Sequence, residues 1–273
     1  EKPDFNTRKK YFNTMLKEQG INPEGFDLEK VARLTENCSY AQLEEVIRNA
    51  RFVAKNQARG ISNTQDLENS IDSVVFKIKK EETLPISEES KKIIASHVAG
   101  KALLHVLWDN SLNNKILKVT LKGAIPVVKE SVVWGAQDKI KAVKEKKVKY
   151  GQIFTYNKDE ITKLDDAKSL ELQAKISLSG KLAENILLNS SHNVRKGDRT
   201  RALELAKKIA YNGLKPESLN KNITKEYDQK AISLLEKFEA EVNKVLTDNK
   251  QKLENIYKLI LEKVSLSREE LLA

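Results

Sequence analysis

Apolar residues recurring at intervals of three and four are the feature that most narrows what this chain can fold into. In TENCSYAQLEEVIRNARFVAKNQARGIS, Leu43, Val46, Ile47, Ala50, Val53 and Ala54 fall on one face of a helix. Ser39 is the expected N-cap and Gly60 the expected left-handed stop. NTQDLENSIDSVVF repeats the pattern with Leu67, Ile71, Val74 and Val75 behind an Asn63 or Thr64 cap, and DLEKVARL precedes both. Residues 1–78 therefore read as a small helical bundle. Composition points the same way: Gly and Pro number only 10 and 5 among 273 residues, aromatics make up 6%, and helix-favouring residues fill the rest. With 40% hydrophobic residues the chain can bury a real core, and its length suits two domains better than one.

The polar segment KKEETLPI, residues 79–86, carries Pro85, which disfavours helix at Leu84 and sets a boundary between domains 1–80 and 81–273. Beyond it Ser87 opens a helix running to about Trp108. In KILKVTLKG, Leu117, Val119 and Leu121 alternate with Lys118, Thr120 and Lys122 as in a half-buried strand, and GQIFTY at 151–156 is the candidate partner. Helical spacing returns from Ala167, in AKSLELQAKISLSGKLAENILLN, in RTRALELAKKIAYNGL and in the tract 224–264. TDNK at 247–250 is the expected break in that tract. The fold class expected is mainly α, with a small β element.

Charge and cysteine content bound the partners. The formal net charge is +10, much of it concentrated in KIKAVKEKKVK at 139–149. That run has no interleaved aromatics and no groove-reading motif, so it reads as a solvated surface, and nucleic acid is disfavoured as a partner. A basic helical module that binds nucleic acid or anionic membrane through these lysines stands as an alternative. A single cysteine, Cys38, excludes an intrachain disulfide and a thiolate zinc site, and suits a reducing compartment. No apolar run reaches the roughly 18 residues of a membrane span, and no secretory leader opens the chain. Since the sequence begins at Glu1 rather than Met, targeting information would lie upstream.

IIASHVAGKALLHVLW, residues 93–108, carries the chemistry worth weighing. Residues i and i+4 share a helix face, so His97 projects with Lys101. In His-Glu-x-x-His, two such histidines hold zinc and the glutamate deprotonates its water. Here Lys101 stands at the second histidine position and Val98 at the general-base position. An ammonium has no lone pair to offer a cation, and valine cannot move a proton.

The succession LPISEESKKIIASHVAGKALLHVLW resembles the peptidase domain of the FtsH family of membrane-anchored AAA+ zinc proteases, in which His-Glu-Ala-Gly-His-Ala-Leu occupies this place. Ala99-Gly100 and Ala102-Leu103 match that motif in position. Downstream, ISLSGKLAENILL (176–188) is similar to the family's Leu-Gly-Gly-Arg-Ala-Ala-Glu-Glu helix, and GDRTRALELAKKIAYNGL (197–214) to the helix that carries its third zinc ligand, an aspartate matched by Asp198. The LKVTLKG strand and the C-terminal NKQKLENIYKLILEKVSLSREEL follow the family as well. Residues 26–75 resemble the helical lid of its ATPase module. The family's Walker and arginine-finger motifs would precede Glu1.

The resemblance implies an AAA+ lid over 1–80 and a peptidase-like domain over 81–273. It leaves His97 and Asp198 as two of three metal ligands, with Lys101 in the missing position. Zinc is therefore not expected to bind, and no catalytic residue is assigned. If the scaffold is kept, Lys101 should point at Asp198 and an ion pair should replace the metal as the link between helices; otherwise Asp198 is simply a helix N-cap. The resemblance places Ser39, Tyr40 and Ala41 beside the nucleotide, with Tyr40 where the family has glycine, so its ring either crowds that pocket or turns outward. The resemblance implies no cofactor in this fragment, and ATP, if any, only in the full-length protein. His105 and His192 take core or surface roles. The function expected is a structural, regulatory or chaperone-like subunit of a homo- or hetero-hexameric ring in membrane-protein quality control. Such a ring would act on protein clients, be membrane-associated through an N-terminal part, and face the cytoplasm, matrix or stroma. An active metallopeptidase with an altered metal site is the nearest rival.

Overall fold

The computed structural model describes residues 2–78, 86–123, 150–157, 166–190, 196–212, 214 and 220–272. The fold is mainly α: these residues form ten α-helices and one small antiparallel sheet. They divide into two compact units. The 139–149 lysine run and His192 lie outside the described residues.

The first unit holds α1 (Phe5–Glu18), α2 (Leu28–Leu34), α3 (Tyr40–Asn56) and α4 (Thr64–Val74). Asp4, Asp27, Ser39 and Asn63 each accept a backbone N–H from the first turn of the helix they precede, satisfying donors that a helix start leaves open. At α3 the cap is reciprocal, with the Gln42 side chain returning to the Ser39 backbone N–H. Phe12, Leu16, Leu43, Ile47, Leu67 and Ile71 form the core. Arg8 is buried within α1, where its guanidinium donates to the carbonyls of Ala32 and Pro3 at 3.0 and 2.9 Å.

Two sequence expectations for this unit change. Helix α1 is not among the helices read from periodicity, because Phe12 and Leu16 are the only apolar side chains it buries, too few to mark a stripe. The left-handed turn after α3 falls at Ala58, φ 56°, rather than at Gly60. Gln57 and Ala58 close the helix by bonding back to Ala54 and Lys55.

The second unit comprises α5 (Glu88–Leu107), β1 (Asn114–Thr120), β2 (Gln152–Asn157), α6 (Ala167–Leu188), α7 (Lys196–Tyr211), α8 (Lys221–Asp248), α9 (Lys250–Lys263), β3 (Ser265–Ser267) and α10 (Arg268–Leu272). Ser87 caps α5 as expected, and the long C-terminal tract breaks at Asn249 inside TDNK. Helix α6 runs through the middle of the unit, packed against α5, α7 and α8. Its Leu170, Ala174 and Leu178 join Ala202, Ala206, Leu235 and Phe238 in one core. So many alanines allow the helix backbones to come close.

The sheet order is β2-β1-β3, all antiparallel, which puts β1 at the centre. The half-buried reading of β1 is therefore corrected. A bulge between Ile116 and Lys118 interrupts the alternation, and Ile116, Leu117, Val119 and Thr120 are all buried. Thr120 tolerates full burial because its hydroxyl lies 2.5 Å from that of Ser265 on β3, a strand too short to register as a sequence pattern.

Candidate functional site

The site is built where α5 crosses α6, and two glycines make the crossing possible. A Cβ on Gly100 of α5 would fall 2.5 Å from both the Ala183 Cβ and the Ser179 carbonyl oxygen of α6. A Cβ on Gly180 would fall 3.0 Å from Nδ1 of His97 and 3.2 Å from Cε of Lys101. At Gly100 only hydrogen fits so close a crossing, and at Gly180 a side chain would press on the histidine and lysine that α5 lays on α6.

His97 is buried, and its Nε2 lies 2.7 Å from Oε2 of Glu184, which is fully buried on α6. With the carboxylate ionised, Nε2 carries the proton and donates, fixing the plane of the ring. The other Glu184 oxygen accepts from the Ser190 hydroxyl at 3.4 Å. One turn along α5, Lys101 Nζ stands 2.5 Å from Oδ2 of Asp198 in the first turn of α7. The side chains of this pair are 12% and 23% exposed, so water reaches them only at one edge. Asp198 lies within α7, which begins at Lys196, so the reading of it as an N-cap is corrected. From that first turn its carboxylate also faces the positive end of the helix dipole. Val98 points into the core at 1% exposure. Among the described residues, no three His, Cys, Asp or Glu side chains converge as a metal ion would require.

Lys101 and Asp198 also form one side of a cavity of about 290 Å³ that β2 closes with Gln152 and Thr155. His105 lines it from α5, a further turn on. Burial lowers the His105 pKa to about 4; the Asp109 carboxylate and the Asn114 backbone oppose the shift, while Lys101 adds to it. The ring is therefore neutral at physiological pH, and of the core and surface roles expected for it His105 takes the core one.

The contact of Lys101 with Asp198 expected from the sequence is present, while His97 bonds Glu184, a residue that sequence reasoning misses. The signal was present: Glu184 lies four residues after Gly180 and seven after Ser177, on the buried stripe of α6, where an unpartnered carboxylate would be costly. Ser39, Tyr40 and Ala41 belong to the first unit. Ser39 is occupied in its cap, and the Tyr40 ring, 46% exposed, packs edge-on against Tyr11 at 5.6 Å.

No protein-family model matches the sequence. Curated relatives do. ATP-dependent zinc metalloprotease FtsH 3 of Petrotoga mobilis is 24% identical over 295 residues, covering 99% of this chain and 42% of the relative. ATP-dependent zinc metalloprotease FtsH of Syntrophobacter fumaroxidans is 22% identical over 296 residues, with the same shares of 99% and 42%. The protein of that name from Parabacteroides distasonis is 33% identical over 121 residues, 44% of this chain and 17% of the relative. The chain spans less than half the length of these relatives. The chain is thus similar, along 99% of its length and through the helices that carry His97, Glu184 and Asp198, to proteins that share the FtsH name.

Proposed function

We propose that this chain is part of a non-catalytic FtsH-like subunit, in which an ammonium-carboxylate pair does the mechanical work that a metal ion does in a zinc peptidase. The contact of Lys101 with Asp198 carries the reading. A catalytic zinc needs three protein ligands and an open position for water. Here one candidate ligand, Asp198, is bonded to a cation, and His97 directs Nε2 at Glu184. An ammonium beside them repels a second cation. The donor set therefore does not fit zinc, and with Val98 after His97 a bound water would also have no general base, a contribution of about 10²- to 10⁴-fold in rate.

What remains is a rigid helical unit beside a polar cavity and an edge strand, suited to assembly and to holding polypeptide rather than cutting it. Such a subunit would stand in a ring of FtsH-like subunits, homo- or hetero-hexameric, acting on protein clients in membrane-protein quality control; the relatives, named ATP-dependent zinc metalloproteases, support an ATP-driven, protein-directed role. ATP would then be used by the ATPase module, and attachment to the membrane would lie outside these residues. Among the described residues, no helix is long and apolar enough to cross a membrane.

The test is the zinc content of the purified chain by elemental mass spectrometry, beside a Val98→Glu, Lys101→His double variant, with casein cleavage assayed for both. The expected result is no zinc and no cleavage for the parent, with zinc gained by the variant. Stoichiometric zinc in the parent, or chelator-sensitive cleavage, would overturn the reading in favour of an active peptidase with an altered site.

A further inference from the structure

On the first unit, α3 turns outward a face that the fold does not use. Arg48, Arg51, Phe52 and Lys55 stand at i, i+3, i+4 and i+7, and all are exposed. Phe52, at 64%, is the most exposed large hydrophobic side chain among the described residues. With Ile21 and Ile61 these residues line a concavity of about 490 Å³ that has no acidic side chain in its wall. Arg59, on its rim, is held by a bidentate bond to Asp66 at 2.7 Å on each arm. Arg48, Arg51 and Lys55 have no ionic partner among the described residues. Gln19 lines the same concavity, and its Oε1 is buried with no hydrogen-bond partner among the described residues.

We propose that this concavity docks an acidic polypeptide segment through a single apolar anchor. The anchor side chain packs against Phe52, Ile21 and Ile61, its flanking carboxylates meet Arg48, Arg51 and Lys55, and a backbone N–H of the segment satisfies Gln19. The cations extend over seven residues of helix, about 10 Å, the span of about three residues of an extended docked segment. An exposed aromatic wall over an aliphatic floor, ringed by unpaired charge of one sign, is the anatomy of an anchor pocket with a polar rim. Single-stranded nucleic acid is the weaker fit, because such grooves stack successive bases on several aromatics and this one offers only Phe52. A bilayer would require a protruding apolar face rather than a concave one. The inference concerns the first unit and stands or falls apart from the metal chemistry of the second.

The experiment is fluorescence anisotropy of a labelled peptide carrying Leu-Phe between runs of Asp and Glu, titrated with the full chain. Saturable binding that weakens as salt rises is expected. Phe52→Ala should weaken it about fivefold, and Arg48→Glu, Arg51→Glu, Lys55→Glu together more than about tenfold. All four positions are exposed and alanine favours helix, so the Phe52→Ala variant keeps the test valid even if the triple variant unfolds. Absence of saturable binding would overturn the proposal. So would equal binding of a peptide with Ser-Ser in place of Leu-Phe, which removes the anchor. Tighter, Phe52-dependent binding of an oligothymidylate of equal charge, or of anionic vesicles, would also overturn it in favour of that partner.

Discussion

Replacing Lys101 with methionine tests whether the ion pair links the helices. Methionine keeps most of the stem volume and removes the charge, leaving the Asp198 carboxylate in a cleft where it is 23% exposed. Breaking a fully buried pair costs about 3–5 kcal/mol, and a surface pair contributes at most about 1. With partners 12% and 23% exposed, this pair lies between those limits, and a loss of about 2 kcal/mol follows. Adding Asp198→Asn removes the stranded charge, so the double variant should recover at least about half of that loss. The assay is urea unfolding read from Trp108, which caps the end of α5, in a Trp134→Phe background so that the signal reports the second unit alone. At a slope near 2 kcal/mol per molar urea the Lys101→Met midpoint moves down by about 1 M. A midpoint within experimental error of the parent, or single losses that simply add in the double variant, would refute the idea that this pair holds α5 to α7.

Gly100→Ala should be more damaging than most glycine replacements in helices. The intrinsic gain of about 1 kcal/mol is outweighed by a Cβ placed 2.5 Å from the Ser179 carbonyl oxygen. A net loss of about 2 kcal/mol is expected in the same urea assay, and Ala183→Gly should not rescue it because the backbone contact persists. His105 makes the second unit acid-sensitive: its pKa is about 4 in the fold against 6.5 as reference, so the unfolded chain binds the extra proton between those values. Stability should decline as pH falls from 6.5 towards 4, by about 3 kcal/mol at the low end, and His105→Leu should flatten that part of the profile. Cys38 is buried, and burial raises its thiol pKa to about 11. Iodoacetamide at pH 8 should therefore label it far more slowly than in urea, and labelling at equal rates in both conditions would contradict the packing of the first unit.

The parts of this structure that were legible in the sequence are those in which one element states its own chemistry. Ser39 and Ser87 announce caps, Leu43 to Ala54 announce a buried stripe, and the i, i+4 pair of His97 and Lys101 announces a shared face. What escaped depends on two elements at once. The full burial of β1 follows from pairing with β3 some 145 residues away, which no local alternation can report. Glu184, a carboxylate on the buried stripe of α6, signals that it needs a partner, but that the partner is His97 shows only once α5 is laid opposite it. That dependence also explains why the ammonium of Lys101 can be accommodated. Gly180 leaves room for the lysine stem where any side chain would press on its Cε, and Asp198 presents a charge of the sign the ammonium requires. The histidine with its buried glutamate thus ties α5 to α6, and one turn along α5 the lysine with its aspartate ties it to α7. The site consequently has a structural reason to keep every polar group it contains, whether or not any of them ever meets a metal.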